Sequence, residues 1–215
     1  MFYLFHHIPK TADTSVRDAL GRHLRVHLDY QLSASPADRA DFERDRPDLS
    51  LLTQQDVLCG HWNLPGSRLW ERFPELDELD VRKIVILRPP LETAMSGVRY
   101  NLQTNPAATR APDAMLLARV NYFASVLGCT RDSYRERIDS YWHVGLAGRV
   151  QETVDFIADT VGSPRWPVDR LNTTDAMSVS FSPEAVETFL HRSELDQAIY
   201  DYAAAVAHAA HAATA

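Results

Sequence analysis

The sequence predicts an α/β fold, a mostly parallel sheet covered by helices on both sides, on three observations. The run Phe2 to Ile8 is almost continuously apolar and aromatic, as a strand buried on both faces requires, and Pro9 breaks it. Val16, Leu20 and Leu24 then recur at helical spacing, with Arg17, Asp18 and Arg22 on the opposite face. The same order returns at KIVIL, Lys83 to Leu87, a β-branched strand stopped by Pro89 and Pro90 and followed by a helix over 91–102. Strands alternating with helices over short connections make a parallel sheet, and ligands of such sheets sit at the carboxyl ends of the strands.

The other elements follow in order. Residues 33–55 are polar and read as a surface helix and loop. A short strand, Val57 to Cys59, leads into Gly60 and His61. Helical periodicity runs through Leu116, Val120, Phe123 and Leu127 within 112–138. A strand over 141–144 precedes a helix over 147–161, and a last helix runs from about Ser182 into the Ala- and His-rich stretch from about 203 to 215, expected to fray. There is no internal repeat. A length of 215 residues suits one domain spanning 1–215.

Composition narrows the function classes. A hydrophobic fraction of 45% with 24% charged residues is that of an ordinary globular protein, which sets aside disordered and fibrous readings. The N-terminal run FYLFHHI has no basic region or cleavage site, and no window approaches the length of a membrane span, so we expect no signal peptide, no membrane and a cytoplasmic location. With 22 basic and 29 acidic residues the net charge is −7, which argues against nucleic acid as a partner while leaving local cationic pockets open. Only Lys10 and Lys83 are lysines, so nearly all the basic charge is arginine, a bias that suggests a bacterial source. Cys59 and Cys129 show neither pairing nor metal-ligand spacing and are expected as free thiols.

Three stretches could carry chemistry. PKTADTS, Pro9 to Ser15, lies where a buried strand turns into a helix; backbone N–H groups there attract an anion, Lys10 adds charge, and Thr11, Thr14 and Ser15 add hydroxyls. The blander reading is a helix start capped by Asp13 or Thr11 with a solvated Lys10. No GxxxxGK[ST] pattern is present, which disfavours ordinary ATP or GTP hydrolysis. Arg88, directly after KIVIL, is followed eight residues later by Ser96; a second cation at a second strand end suits a ligand with two separated anionic groups, the bland alternative being a structural ion pair. His61 in GHWNLP follows a strand and is a candidate general base, although a lone histidine is commonly structural. The histidines show no metal-binding spacing, and no metal is expected.

Together these stretches resemble the sulfotransferases that use 3′-phosphoadenosine 5′-phosphosulfate (PAPS), in particular the carbohydrate 2-O-sulfotransferase-like branch and its bacterial relatives. HHIPKTADTS is similar to that branch's HIPKTAGTS loop, LRPPLETAMSGVRY to its LRDPVERxxSxYxx segment and GHWNLP to its GHxxYG-like stretch. HVGLAGRVQETVDFI, LNTT and ELDQAIYDYA continue the likeness in order along the chain.

The resemblance implies a P-loop-like three-layer domain. It implies that Lys10, Thr11, Ala12, Asp13, Thr14 and Ser15 hold the 5′-phosphosulfate, that Arg88 and Ser96 hold the 3′-phosphate, and that His61 is the acceptor base while Lys10 stabilises the leaving group. PAPS would be the donor, adenosine 3′,5′-bisphosphate the product, and a sugar or small-molecule hydroxyl the acceptor. Trp62, Asn63, Tyr100 and Asn101 flank these motifs and could line the acceptor side. Two positions depart from the pattern. Asp13 replaces a glycine, whose role would be close approach or positive φ, and brings a carboxylate toward the phosphosulfate. Pro89 replaces an aspartate. Asp13 motivates the alternative of an inactive or altered nucleotide-binding protein on the same fold, and Pro89 makes Arg88 a weaker assignment than Lys10; a kinase-like phosphoryl transferase is a third reading.

Overall fold

The structure, a computed structural model, describes residues 1–31, 35–105, 107, 109–165, 167–168 and 178–212, with the side chains of 13 and 210–212 outside the description. The LNTT stretch, 171–174, lies outside the described residues.

The chain runs β1 (Phe2–His6), α1 (Asp13–Leu20), β2 (Arg25–Tyr30), α2 (Pro36–Arg44), β3 (Asp56–His61), α3 (Leu69–Arg72), β4 (Val81–Leu87), α4 (Pro90–Thr104), α5 (Pro112–Leu117), α6 (Tyr122–Leu127), α7 (Tyr134–Asp139), β5 (His143–Leu146), α8 (Val150–Val161), α9 (Pro183–Arg192) and α10 (Glu194–Ala212). The five strands form one parallel sheet in the order β2-β3-β1-β4-β5. This is the expected α/β class, with three layers. Alternate residues explain them: Tyr3, Phe5, Val57, Cys59, Ile84 and Ile86 face Val16 and Leu20 of α1 and Ile157 of α8. On the other face, Phe2, Leu4 and Leu58 meet Phe42, Leu69 and Phe73, while Val85, Leu87 and Val144 meet Phe123, Ile138, Ile199 and Ala203. A satellite cluster joins α4, α5 and α9 through Val98, Leu116 and Phe189.

Several boundaries differ from expectation. The first helix ends at Leu20 rather than continuing through Leu24, and a strand not anticipated from the sequence, β2, follows. It lies at the sheet edge with Arg25, His27 and Leu28 exposed, so it lacks the apolar run that marks a buried strand. The helical region 112–138 is three short helices, interrupted where Asn121 and Gly128 take φ of 53° and 62°. The strand expected at 141–144 is at His143–Leu146, and a 3-10 turn, Ala147–Arg149, precedes α8. The last helix is two, broken at Ser193; the second packs Ala203 into the core and continues to Ala212. Cys59 and Cys129 are buried free thiols whose pKa values burial pushes up to about 12 and about 11, which makes them poor nucleophiles. No helix among the described residues is long and apolar enough to cross a membrane.

Candidate active site

From central β1 the chain goes out to the edge strand β2, returns to place β3 between them, and then crosses β1 to build β4 and β5 on the other side. An open parallel sheet leaves a crevice at the strands' carboxyl ends where the direction of building reverses. Here a cleft of about 2600 Å³ opens there, lined by the loop after β1, the end of β3, the start of α4 and the turn after β5. Of the predicted residues Lys10, Ala12, Thr14, Ser15, His61, Arg88 and Ser96 all line it. Residues far apart in the sequence collapse into one site because parallel strands deliver every carboxyl end to the same edge.

The loop after β1 is held in an unusual conformation. Lys10 and Ala12 have φ of 74° and 70°, while Thr11 between them does not take a positive value. Alternation of this kind turns successive backbone N–H groups toward one side and makes an anion-binding concavity. Thr11 itself is buried, and its hydroxyl donates to the Ile8 carbonyl at 2.8 Å. Its side chain therefore braces the loop, correcting the expectation that the hydroxyl faces a ligand. Asp13 is the first residue of α1, and the positive φ falls one residue earlier, at Ala12. The conformational argument for glycine at 13 does not apply to this chain, and neither Asp13 nor Thr11 is the helix cap: Ala12 occupies that position without a side-chain bond. Lys10 extends over the ring of Tyr100, its Nζ 4.1 Å from the centroid.

His61 stands in a row that sequence reasoning missed. In the β2–β3 register Tyr30 lies beside His61, in the β1–β3 register His6 lies beside Gly60, and the His7 N–H donates to the Gly60 carbonyl at 3.1 Å. Tyr30, His61 and His7 are thereby aligned across three adjacent strand ends. The His7 and His61 ring centroids are 4.0 Å apart, and Tyr30 lies 4.5 Å from His61 with its hydroxyl 2.8 Å from His7 Nδ1. All three line the cleft. The signal for His7 is a matter of register, each histidine ending or following a strand of one neighbouring pair, and register is not visible in one sequence.

Gly60 is required by packing. A Cβ there would lie 2.3 Å from the Trp62 ring and 2.5 Å from the Asp29 carbonyl oxygen. Trp62 is fully buried, donating from Nε1 to Asp29 at 2.7 Å, and Arg72 grips the same carboxylate through two contacts of 2.7 Å. Trp62 is thus a structural residue beneath the cleft, which removes it from the acceptor-side candidates. Asn63, Tyr100 and Asn101 do line the cleft, and Asn63 donates to the Tyr122 hydroxyl at 3.4 Å.

Arg88 reaches the cleft at the end of β4, with its Nε donating to Glu92 at 3.1 Å. Among the described residues the cleft carries Lys10 and six arginines, at 17, 88, 99, 110, 119 and 149, against Glu92 and Glu152. Seven cations against two carboxylates give a strongly positive cleft in a chain of net charge −7. Low-dielectric walls focus such a field on an anionic ligand. Lys83, the other lysine, is buried and paired with Asp77 at 2.9 Å, outside the cleft. Among the described residues no group of three or more His, Cys, Asp or Glu is placed to hold a metal ion.

A sulfotransferase from Alicyclobacillus acidocaldarius has a similar architecture, with a TM-score of 0.54 over 97% of this chain and 96% of that one at 14% identity. Mouse sulfotransferase SULT7A1, complexed with PAP, is similar at a TM-score of 0.51 over 94% and 88% of the two chains, again at 14% identity. The fold is that of the sulfotransferases. No protein-family model and no curated protein matches the chain. The P-loop-like, three-layer class is therefore observed, and the sulfotransferase fold here keeps its cleft at the carboxyl edge of the sheet.

Proposed function

We propose that this chain moves a sulfuryl group from PAPS to a hydroxyl of a sugar or small-molecule acceptor, leaving adenosine 3′,5′-bisphosphate. One observation carries the reading: Lys10, Thr14, Ser15, His61, Arg88 and Ser96, drawn from three strand ends, line a single positively charged cleft on a sulfotransferase fold. The donor set suits a multiply charged nucleotide. The loop N–H groups with Lys10, Thr14 and Ser15 would hold one anionic group, and Ser96 with Arg88 the other, tying two phosphates to two strand ends. PAP, with which the mouse protein is complexed, is consistent with such a nucleotide.

In the proposed reaction His61 takes the acceptor's hydroxyl proton as that oxygen bonds to sulfur and the S–O bond to the leaving phosphate breaks. Lys10 stabilises the charge that develops on the departing oxygen. Attack and departure lie roughly in line, so positioning contributes most of the acceleration. Replacing Lys10 or His61 by alanine is expected to lower turnover about 10² to 10⁴-fold. We read the chain as one domain, with a cytoplasmic location and a bacterial source, and with no metal in the reaction. The Arg88–Glu92 pair favours a second reading, a nucleotide-binding protein without transfer activity, because the pairing weakens the cation expected at the 3′-phosphate.

The test is thermal unfolding with adenosine 3′,5′-bisphosphate, with ATP for comparison, followed by transfer of labelled sulfate from PAPS across an acceptor panel. At about 100 times its Kd a ligand that binds only the folded chain adds roughly 2.7 kcal/mol, or about 5 to 11 °C for this size. A shift specific to the bisphosphate and lost in Lys10→Ala supports the donor site, and labelled product then separates transfer from binding alone. No shift at millimolar bisphosphate would sink both readings.

A further inference from the structure

Helix α4 carries a glycine at its centre, Gly97, where alanine would be the more stable choice. Packing supplies the reason. A Cβ at residue 97 would lie 2.6 Å from Cζ and from Nη1 of Arg119 and 2.9 Å from Nη2. The guanidinium can rest against the helix only because residue 97 has no side chain. Arg119 follows α5, with its backbone N–H bonded to the Leu116 carbonyl at 3.0 Å, so the root of the side chain is anchored. Its guanidinium carbon is 5.8 Å from the centroid of the Tyr122 ring.

Arg119 differs from two other arginines of the cleft in how its charge is met. Arg88 and Arg149, in the same cleft, are paired with Glu92 and Glu152. Among the described residues the guanidinium of Arg119 has no hydrogen bond and no ion pair. A half-buried arginine whose donors are fork-shaped and uncommitted, lining the cleft beside Ser96, is suited to a phosphate. We propose that Arg119 is a ligand of the nucleotide's 3′-phosphate, acting with Ser96 from the same stretch of α4, and that Gly97 is the residue that seats it. The inference rests on the nucleotide reading above. It accounts for a cation at this subsite despite the engagement of Arg88 by Glu92, since a dianionic phosphate gains most from a donor fork that no carboxylate already occupies.

The experiment is calorimetric titration of the full chain with adenosine 3′,5′-bisphosphate and with adenosine 5′-monophosphate, which lacks the 3′-phosphate. In the unaltered chain the bisphosphate binds more tightly. Arg119→Gln is expected to weaken the bisphosphate at least tenfold while leaving the monophosphate within about twofold. Gly97→Ala, which displaces the guanidinium without removing it, is expected to give the same selective loss with a melting temperature within a few degrees of the unaltered chain. Unchanged bisphosphate binding in Arg119→Gln, or equal loss of both nucleotides, would overturn this assignment alone. Failure of the unaltered chain to bind either nucleotide would overturn the nucleotide reading and this assignment together.

Discussion

Ala12 sits at φ 70° and ψ 23°, a left-handed conformation in which an L-residue's Cβ crowds its own backbone. Glycine there would remove the crowding, so Ala12→Gly is expected to stabilise the chain by about 0.5 to 1 kcal/mol, opposite to the usual sign for such a change. Urea unfolding of the two proteins decides it, and a lower midpoint for the variant would show that the loop is not strained at this residue. Lys10 shares the positive φ and lies over Tyr100, so the loop's shape and the aim of its cation are set together. In sequence PKTADTS announced an anion cradle through its residue types, and Lys10, Thr14 and Ser15 do face the cleft. Which side chains turn inward was not readable. Thr11 and Thr14 are the same residue type three positions apart, yet only the loop's backbone path sends one hydroxyl to Ile8 and leaves the other on the cleft wall.

At the scale of elements, α10 secures α6 through one carboxylate. Asp196 is buried and accepts the N–H groups of Phe123 and Ala124 at 3.0 and 2.9 Å, taking up orphan donors at the start of α6. Burial raises its pKa to about 6 despite those hydrogen bonds. The folded chain therefore holds a proton that the unfolded chain releases near 3.8, and the resulting stability is lost as pH rises from about 4 to about 6. Asparagine keeps an acceptor oxygen but does not titrate. The stability of the unaltered chain relative to Asp196→Asn is expected to fall across that window, and parallel pH profiles would refute the assignment. The strands the sequence marks most clearly are β1 and β4, where burial on both faces makes apolar runs obligatory; β3 and β5 are legible from shorter apolar stretches. Edge strand β2 escaped because much of it faces solvent and it carries no apolar run, whereas β5 at the other edge is largely buried.

For the whole molecule, acid stability follows from buried histidines. His6, bonded through Nδ1 to the Tyr141 hydroxyl at 2.6 Å, has its pKa lowered to about 3, by burial first and by the charges of His7, Arg137 and His61 second. Burial lowers His143 to about 4. Both bind a proton near 6.5 when unfolded, so stability is present above that pH and is lost as pH falls toward 4. Each proton contributes a slope of at most roughly 1.4 kcal/mol per pH unit, and Asp196 opposes one of the two below about pH 6. Urea midpoints are expected to drop between pH 6.5 and 4; a constant midpoint would contradict the desolvation of the buried His6 and the partly buried His143. The sequence by itself determined the layered α/β class and the strand ends at which chemistry sits, because burying a parallel sheet on both faces imposes apolar runs that end in turns. It also supplied Lys10, His61, Arg88 and Ser96 as cleft residues. Only the tertiary structure decided that His7 and Tyr30 adjoin His61, that Trp62 lies beneath the cleft holding Asp29, and that Arg119 rests on Gly97. Those contacts depend on strand register and on helices packed from distant parts of the chain, distances that one-dimensional spacing does not encode.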